Sequence, residues 1–477
     1  MLNISEYKKA KGVFTFFEEI SKIPHGSENT KMIADYLVDF AKTRGLSVYR
    51  DNSDNVIIKK PATKGYENRP TVIFQGHTDM VADKVKGNPI DMEKEGLKIF
   101  RDGDFIRAEG TTLGGDDGVA LAYALAVLDA NDIEHPAFEA LFTSDEEIGL
   151  IGATALDASH LDGKTMINID SDVEGVFTVG CAGGMRIDIK ITAKKESVCG
   201  DFYKISVSGL KGGHSGTEID KDRVNAIKLL NDITAHIPNI RISSISGGNA
   251  DNAIPRSAEC VFSAAENTEH IVSNILIPSA IENAKKKEPD VKITFEKIQN
   301  EPATFNIDDS SRVFKLIKNL PCGVVKMSDE IPGLVETSAN IGILASDEES
   351  ITLSMSIRSS KNDSKELLRQ SIRAIAEDKN ISATVSERGE YPAWEYKKDS
   401  HLRGIMKSVY VKMYGKEPEI ITIHAGLECG IFSDKIPELD CVSIGPDNFD
   451  IHTPDERLSI SSTARVWEYL KEVLKNI

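Results

Sequence analysis

Three apolar segments in the first third of the chain each end in a polar cluster. Thr71-Val-Ile-Phe-Gln runs into Gly76-His77-Thr78-Asp79, Phe138-Glu-Ala-Leu-Phe-Thr ends at Ser144-Asp145-Glu146-Glu147, and Thr165-Met-Ile-Asn-Ile ends at Asp170. Short continuous apolar runs suit strands buried on both faces. Between the first two, Leu113-Gly-Gly-Asp-Asp-Gly118 opens a helical stretch over 119–130. Strands alternating with helices predict an α/β fold, with a mixed, largely parallel sheet covered by helices on both faces. In such sheets chemistry collects at the ends of strands, where these clusters fall.

After about residue 195 the texture changes. Tyr203-Lys-Ile-Ser-Val-Ser, Val291-Lys-Ile-Thr-Phe-Glu and Ile351-Thr-Leu-Ser-Met-Ser-Ile alternate apolar and polar, as half-exposed strands do, among helical stretches at 223–236, 269–287 and 365–377. From Tyr391-Pro-Ala-Trp the chain returns to helix, strand and a closing helix over 461–474. The expected organisation is one α/β domain from residues 1–195 plus 389–477, with an α+β domain inserted over 196–388.

Composition narrows the function. Lys and Arg number 57 against 75 Asp and Glu, a formal charge of −18. That excludes nucleic acid or an anionic membrane as the main partner, since both need a basic footprint. The longest apolar run, 119–128, is about half of the ~20 residues a spanning helix needs, and the first residues carry no signal-peptide core. Six scattered cysteines without a Cys-x-x-Cys pair read as reduced thiols. The expectation is a cytoplasmic protein.

Each cluster alone has an ordinary reading: a structural histidine at His77, a turn and helix cap at Gly114–Gly118, an exposed acidic loop at Glu146-Glu147. Their repetition at successive strand ends is what carries weight. Carboxylates gathered in one pocket raise each other's pKa and need compensation, which divalent cations supply. Imidazole plus carboxylate suits zinc, and also manganese or cobalt.

The ordered set His77-x-Asp79, Gly-Gly-Asp116-Asp-Gly, Asp-Glu146-Glu147-Ile-Gly, Asn-x-Asp170 and His452-x-Pro-Asp-Glu resembles the co-catalytic zinc peptidases that include carboxypeptidase G2. Gln75-Gly-His-Thr-Asp-Met-Val, Ile423-His-Ala-Gly-Leu-Glu-Cys-Gly and Ser356-Ile-Arg-Ser-Ser resemble their aminoacyl-histidine dipeptidase (cytosol non-specific dipeptidase) branch. The resemblance runs from about residue 10 to the end. It implies two divalent ions, zinc first, with Asp116 bridging them. One ion would also hold His77 and Asp170, the other Glu147 and His452. Asp79 would orient His77 from its outer nitrogen, and Glu146 would be the general base acting on a metal-bridging water. The same resemblance implies a cis peptide at Asp116–Asp117.

In the inserted domain, Gly209-Leu-Lys-Gly-Gly-His214-Ser-Gly resembles the lid motif whose imidazole stabilises an oxyanion. Asn252 and Arg358 match positions that hold a substrate carboxylate, and Gly426 would let backbone approach the substrate. His424 and Glu428 stay open. This lid is about twice the length of the single ferredoxin-like lids of dimeric relatives, so it is expected to contain two ferredoxin-like halves and to supply His214 in cis. A homodimer is implied for the branch. Aspartate at position 170 accompanies enzymes acting on a free amine, so the implied substrate is a small unblocked dipeptide, Xaa-His types such as β-alanyl-histidine included. The rival readings are an N-acyl-amino-acid amidohydrolase and a non-enzymatic binding protein on the same fold.

Overall fold

Strands Val72–His77 and Phe138–Thr143 are buried at every position, as their unbroken apolar sequences require. They lie side by side and parallel, and Thr165–Asn168 runs parallel on the other side of Val72–His77, so Val72 faces both Phe138 and Thr165. Asp440–Ser443, from near the C-terminus, adds a fourth parallel strand beside Thr165–Asn168. Ser47–Arg50 and Val56–Lys60 on one flank and Val176–Cys181 on the other join antiparallel, and Glu419–Ile423 completes an eight-stranded mixed sheet. The computed structural model describes residues 4, 6–265, 268–299 and 302–477.

The helix Gly115–Asp129 buries every residue from Val119 to Leu128, the pattern of a helix enclosed on all sides. It packs against Lys11–Ile20 and against Val72–His77, in one core with Phe14, Phe17, Phe74 and Trp467. The apolar run at 119–128 is therefore a core helix. No helix among the described residues is long and apolar enough to cross a membrane. The helix begins earlier than its apolar period suggests, with Asp116 (φ −87°, ψ 103°) and Asp117 outside helical geometry in its first turn.

The chain packs into two units. The first comprises Met1–Cys181, Tyr396–Thr422 and Leu427–Ile477; the second comprises Ala182–Glu395 and Ile423–Gly426. The crossing at Ala182 precedes the change in texture near 195 because strand Gly183–Thr192 is paired along its length with Ser350–Ser359 and also with Thr384–Tyr391, both in the second unit.

The second unit carries a nine-stranded sheet in which eight strands form two βαββαβ halves and the ninth, Gly323–Met327, pairs with Val335–Ser346. In one, strand Asp201–Ser208, helix Ala226–Thr234, strands Arg241–Gly247 and Ala258–Ala264, helix Ile277–Lys285 and strand Lys292–Ile298 follow in sequence. Across the sheet these strands stand fourth, first, third, second, a ferredoxin-like order. The other half repeats that order with Gly183–Thr192, Val335–Ser346, Ser350–Ser359 and Thr384–Tyr391. The two ferredoxin-like halves are thus present, nested rather than consecutive, since the first lies between Gly183–Thr192 and helix Ile307–Asn319. They join where Gly247 opposes Leu344.

Candidate active site

His77 ends the central strand of the first unit, and its ring is almost wholly buried. Its Nδ1 faces the Asp79 backbone oxygen at 2.9 Å and the Asp79 carboxylate at 3.4 Å. With that nitrogen carrying the proton, Nε2 is left to face Asp116 Oδ1 at 3.0 Å and Asp170 Oδ1 at 3.9 Å. The other oxygen of Asp116, Oδ2, faces His452 Nε2 at 3.1 Å, and that same nitrogen lies 2.9 Å from Glu147 Oε1. Asp116 therefore points one oxygen into each of two clusters.

Three groups of donor atoms lie within 4.8 Å of one another: His77, Asp116 and Asp170; Asp116, Glu147 and His452; and His77, Glu146 and Glu147. The adjacent parallel strands deliver His77, the 144–147 loop and Asp170 to one edge of the sheet. His452 comes from the C-terminal segment, held with a left-handed backbone (φ 62°). The peptide bond between Asp116 and Asp117 is cis.

The electrostatics of this cluster call for positive charge. Burial pushes the Asp170 carboxyl well above its usual range, reinforced by Asp117 and Asp116. Burial also carries Glu146 up to about 8, against the pull of His77 and with the push of Glu428 and Glu147. Hydrogen bonds that its Nε2–H donates to the Asp116 and Glu147 carboxylates lift His452 to about 10. For His77 burial acts downward, yet Asp116 and Asp79 hold the imidazole well above its ordinary value. The donors, two imidazole Nε2 atoms and several carboxylates, match the ligand chemistry of zinc, cobalt or manganese.

Asp79 does more than orient His77. Its carboxylate accepts the backbone N–H of Glu146 at 2.9 Å and of Glu147 at 3.3 Å, and the hydroxyl of Ser27 at 2.8 Å. One buried side chain thus aligns a histidine and the two glutamates. Glu428, left open by the sequence, is fully buried, and its Oε2 accepts from Gln75 Nε2 at 2.5 Å and Thr143 Oγ1 at 2.7 Å. Burial raises it to about 7. It belongs to none of the three donor groups among the described residues.

The second unit presents a different site. His214 and Gly213 pair with Ala253 and Ile254 in a two-stranded ribbon, which brings His214 and Asn252 to one cavity of 430 Å³. His214 Nδ1 accepts the backbone N–H groups of Gly216 at 3.2 Å and Thr217 at 3.1 Å. The ring proton is thereby assigned to Nε2, leaving that atom as a donor. Burial, with Arg358 nearby, holds the imidazole below its usual value.

Arg358 is 6% exposed. Its Nη1 donates to the Tyr391 hydroxyl at 2.8 Å, its Nε has no hydrogen-bond partner, and among the described residues no carboxylate forms an ion pair with it. A buried guanidinium of this kind has a donor free to meet an anion. Gly426 packs on the ring of Tyr391, where an added Cβ would come within 2.7 Å of Cε2. His424, also open in the sequence, is buried with Nε2 2.7 Å from Ser338 Oγ. Burial and Arg358 lower it to about 4.

Sequence reasoning did not single out Ser27 or Tyr391. Neither lies in a cluster with metal-ligand or catalytic spacing, and each acts through one side-chain hydroxyl brought in from elsewhere in the chain.

The fold and the paired donor clusters define a metallopeptidase. Residues 73–476 match the model of peptidase family M20/M25/M40, and the chain belongs to that family. It is 35% identical over 473 residues to the cytosol non-specific dipeptidase of Escherichia coli (strain K12), covering 98% of this chain and 97% of that one. A crystal structure of aminoacylhistidine dipeptidase from Vibrio alginolyticus superposes with a TM-score of 0.91 at 35% identity, over 98% of this chain and 96% of that one. The aminopeptidase PepT from Bacillus cereus shares the fold at a TM-score of 0.58 and 17% identity, over 98% of each chain.

Proposed function

We propose that this protein is a two-cation dipeptidase that hydrolyses the peptide bond of unblocked dipeptides, Xaa-His dipeptides among them. The observation that carries the reading is the division of Asp116, with Oδ1 3.0 Å from His77 and Oδ2 3.1 Å from His452. His77, Asp116 and Asp170 would hold one cation, and Asp116, Glu147 and His452 the other. Zinc is the first candidate, with cobalt or manganese as alternatives, and such ions supply Lewis-acid polarisation of the scissile carbonyl and acidification of water.

The remaining chemistry falls to the chain's own residues. Glu146 accepts a proton from the attacking water at its carboxylate and returns it to the leaving amine. Its elevated affinity for a proton, set first by burial, suits a group that must hold one in transit. Asp79 keeps Glu146 in place through the backbone N–H and keeps His77 in the required tautomer. In the second unit, Arg358 receives the substrate's terminal carboxylate, with Asn252 beside it in that role, and the Nε2–H of His214 is the donor for an oxyanion. The names of the E. coli and Vibrio relatives support a dipeptide substrate.

The deciding experiment is a panel of free dipeptides, β-alanyl-histidine included, against their N-acetylated forms, run on protein loaded with zinc, cobalt or manganese. Preference for the free amine is expected. Preference for the acetylated form would replace this reading with an N-acyl-amino-acid amidohydrolase, and no turnover of either would remove the hydrolase reading.

A further inference from the structure

Glu456 is 2% exposed and lies four residues beyond His452. Its carboxylate accepts four consecutive backbone N–H groups. Oε2 takes those of Leu113 at 2.7 Å and Gly114 at 3.0 Å, and Oε1 takes those of Gly115 at 2.8 Å and Asp116 at 3.3 Å. Asn448 Nδ2 donates to Oε1 as well, at 3.3 Å. A successive run of backbone amides curled around one anion is a nest, and the anion defines the curl. Here the anion is a side chain of the protein, and the nest ends at the residue that divides its oxygens between the two donor clusters.

The two glycines in the nest have reasons of their own. Gly114 has φ 68°, the left-handed conformation that turns successive amides toward one point. A Cβ on Gly115 would stand 3.1 Å from Glu456 Oε1 and 2.9 Å from Asn448 Nδ2, so any larger residue would crowd the carboxylate and the Asn448 amide. The far end is equally fixed. Glu456 closes a turn between the paired strands Asn448–Phe449 and Arg457–Ser459, and the latter is paired with Phe105–Ala108. Within that turn sits His452 with its left-handed backbone. One short segment therefore supplies His452 to the second cluster and anchors the backbone from which Asp116 projects.

We infer that Glu456 is a positioning residue for the two-cation centre: it ties the Asp116 backbone to the turn carrying His452 and so sets the spacing of those two ligands. The inference rests on the two-cation reading given above. Glu456→Gln tests it with little change of shape, because the amide offers one oxygen and turns an NH₂ toward N–H donors. In titrations of metal-stripped protein with Zn²⁺, the expected result is two cations bound by the wild type and a 10- to 100-fold weakening of one of them in the variant, the range seen when groups that orient ligands are lost. The Co²⁺-loaded variant should show an altered visible d–d spectrum and a lower kcat with KM little changed.

A merely structural role would lower thermal stability and leave the affinities and the cobalt spectrum as they were, and that result overturns the inference. Should Glu456→Gln fail to fold, Gly115→Ala perturbs the same contact from the other side and is expected to weaken the same cation. Wild-type affinities in folded Gly115→Ala would then overturn it. Wild-type protein binding fewer than two cations would instead overturn the two-cation reading and take this inference with it.

Discussion

The two units solve opposite electrostatic problems. In the first, parallel strands buried on both faces end together beside the start of helix Gly115–Asp129 and gather Asp79, Asp116, Glu146, Glu147 and Asp170 around two imidazoles, so negative charge accumulates and raises the affinity of His77 and His452 for positive charge. In the second, an antiparallel sheet buries Arg358 without an acidic ion-pair partner among the described residues, and the nearby imidazoles of His214 and His424 are pushed the other way, toward the neutral form. The same side chain, histidine, shifts up in one unit and down in the other. The donor set of the first unit suits cations and the free donors of Arg358 in the second suit an anion.

The largest effect that would break this contrast is at Glu146. Glu146→Gln should lower kcat by about 10³-fold while both cations remain bound, since general acid–base groups contribute on the order of 10²–10⁴. Metal analysis alongside steady-state kinetics checks it. Retained turnover would mean that the first unit's charge serves only to bind ions, and loss of a cation would make Glu146 a ligand.

A second test uses pH. His424 has a folded-state pKa of about 4, below its ordinary 6.5. As pH falls through about 6.5 the unfolded chain takes up a proton that the folded protein refuses until about pH 4. Stability is therefore expected to fall across that window, to level off below it, and to be unaffected by this group above it. The full swing is about 3 kcal/mol. His424→Gln keeps a polar partner for Ser338 and does not titrate, so chemical denaturation of metal-loaded protein between pH 4 and 7 should show a shallower slope. An unchanged slope would remove His424 from the neutral half of the contrast.

How legible each half was from sequence follows from the same difference. The first unit's strands are continuous apolar runs because both faces are covered, and their ends stand out as abrupt polar clusters. The clusters at His77, Glu146-Glu147 and Asp170 stand out for that reason, whereas setting Asp116 and His452 beside them takes the family resemblance. In the second unit, the alternating pattern gives strands without their order. Nothing in Gly183–Thr192 says that an entire βαββαβ half will intervene before its own first helix. Roles that depend on backbone amides were hidden throughout. Glu456 stood in view within His452-Thr-Pro-Asp-Glu, but its acceptance of four N–H groups from residues 113–116 is a tertiary fact, because every non-proline residue carries the same donor. The reach of Asp79 to Glu146 and Glu147 was hidden for the same reason.

On the anion-binding side, Arg358→Ala should raise KM for free dipeptides about 100-fold with kcat little changed, equivalent to about 2.7 kcal/mol and within the range for truncating a buried charge partner. Dipeptide amides, which lack the terminal carboxylate, should lose far less. Equal losses for both would show that Arg358 holds the fold of the second unit together and receives no carboxylate.

The finest test lies one bond further out. Tyr391 accepts from Arg358 Nη1 at 2.8 Å, and its ring fills the space left by Gly426 and Gly184. Tyr391→Phe keeps the ring and its packing and deletes only the oxygen that steadies the guanidinium. A hydrogen bond of this kind contributes about 1 kcal/mol, so KM for a free dipeptide should rise about fivefold, kcat should hold, and the amide should be indifferent. The sign of that split is more informative than its size. A fall in kcat shared by dipeptide and amide would mean that Tyr391 acts on the reacting atoms themselves. Tyr391 would then join His214 in acting on the reacting atoms, and its reading as a support for the Arg358 guanidinium would fail.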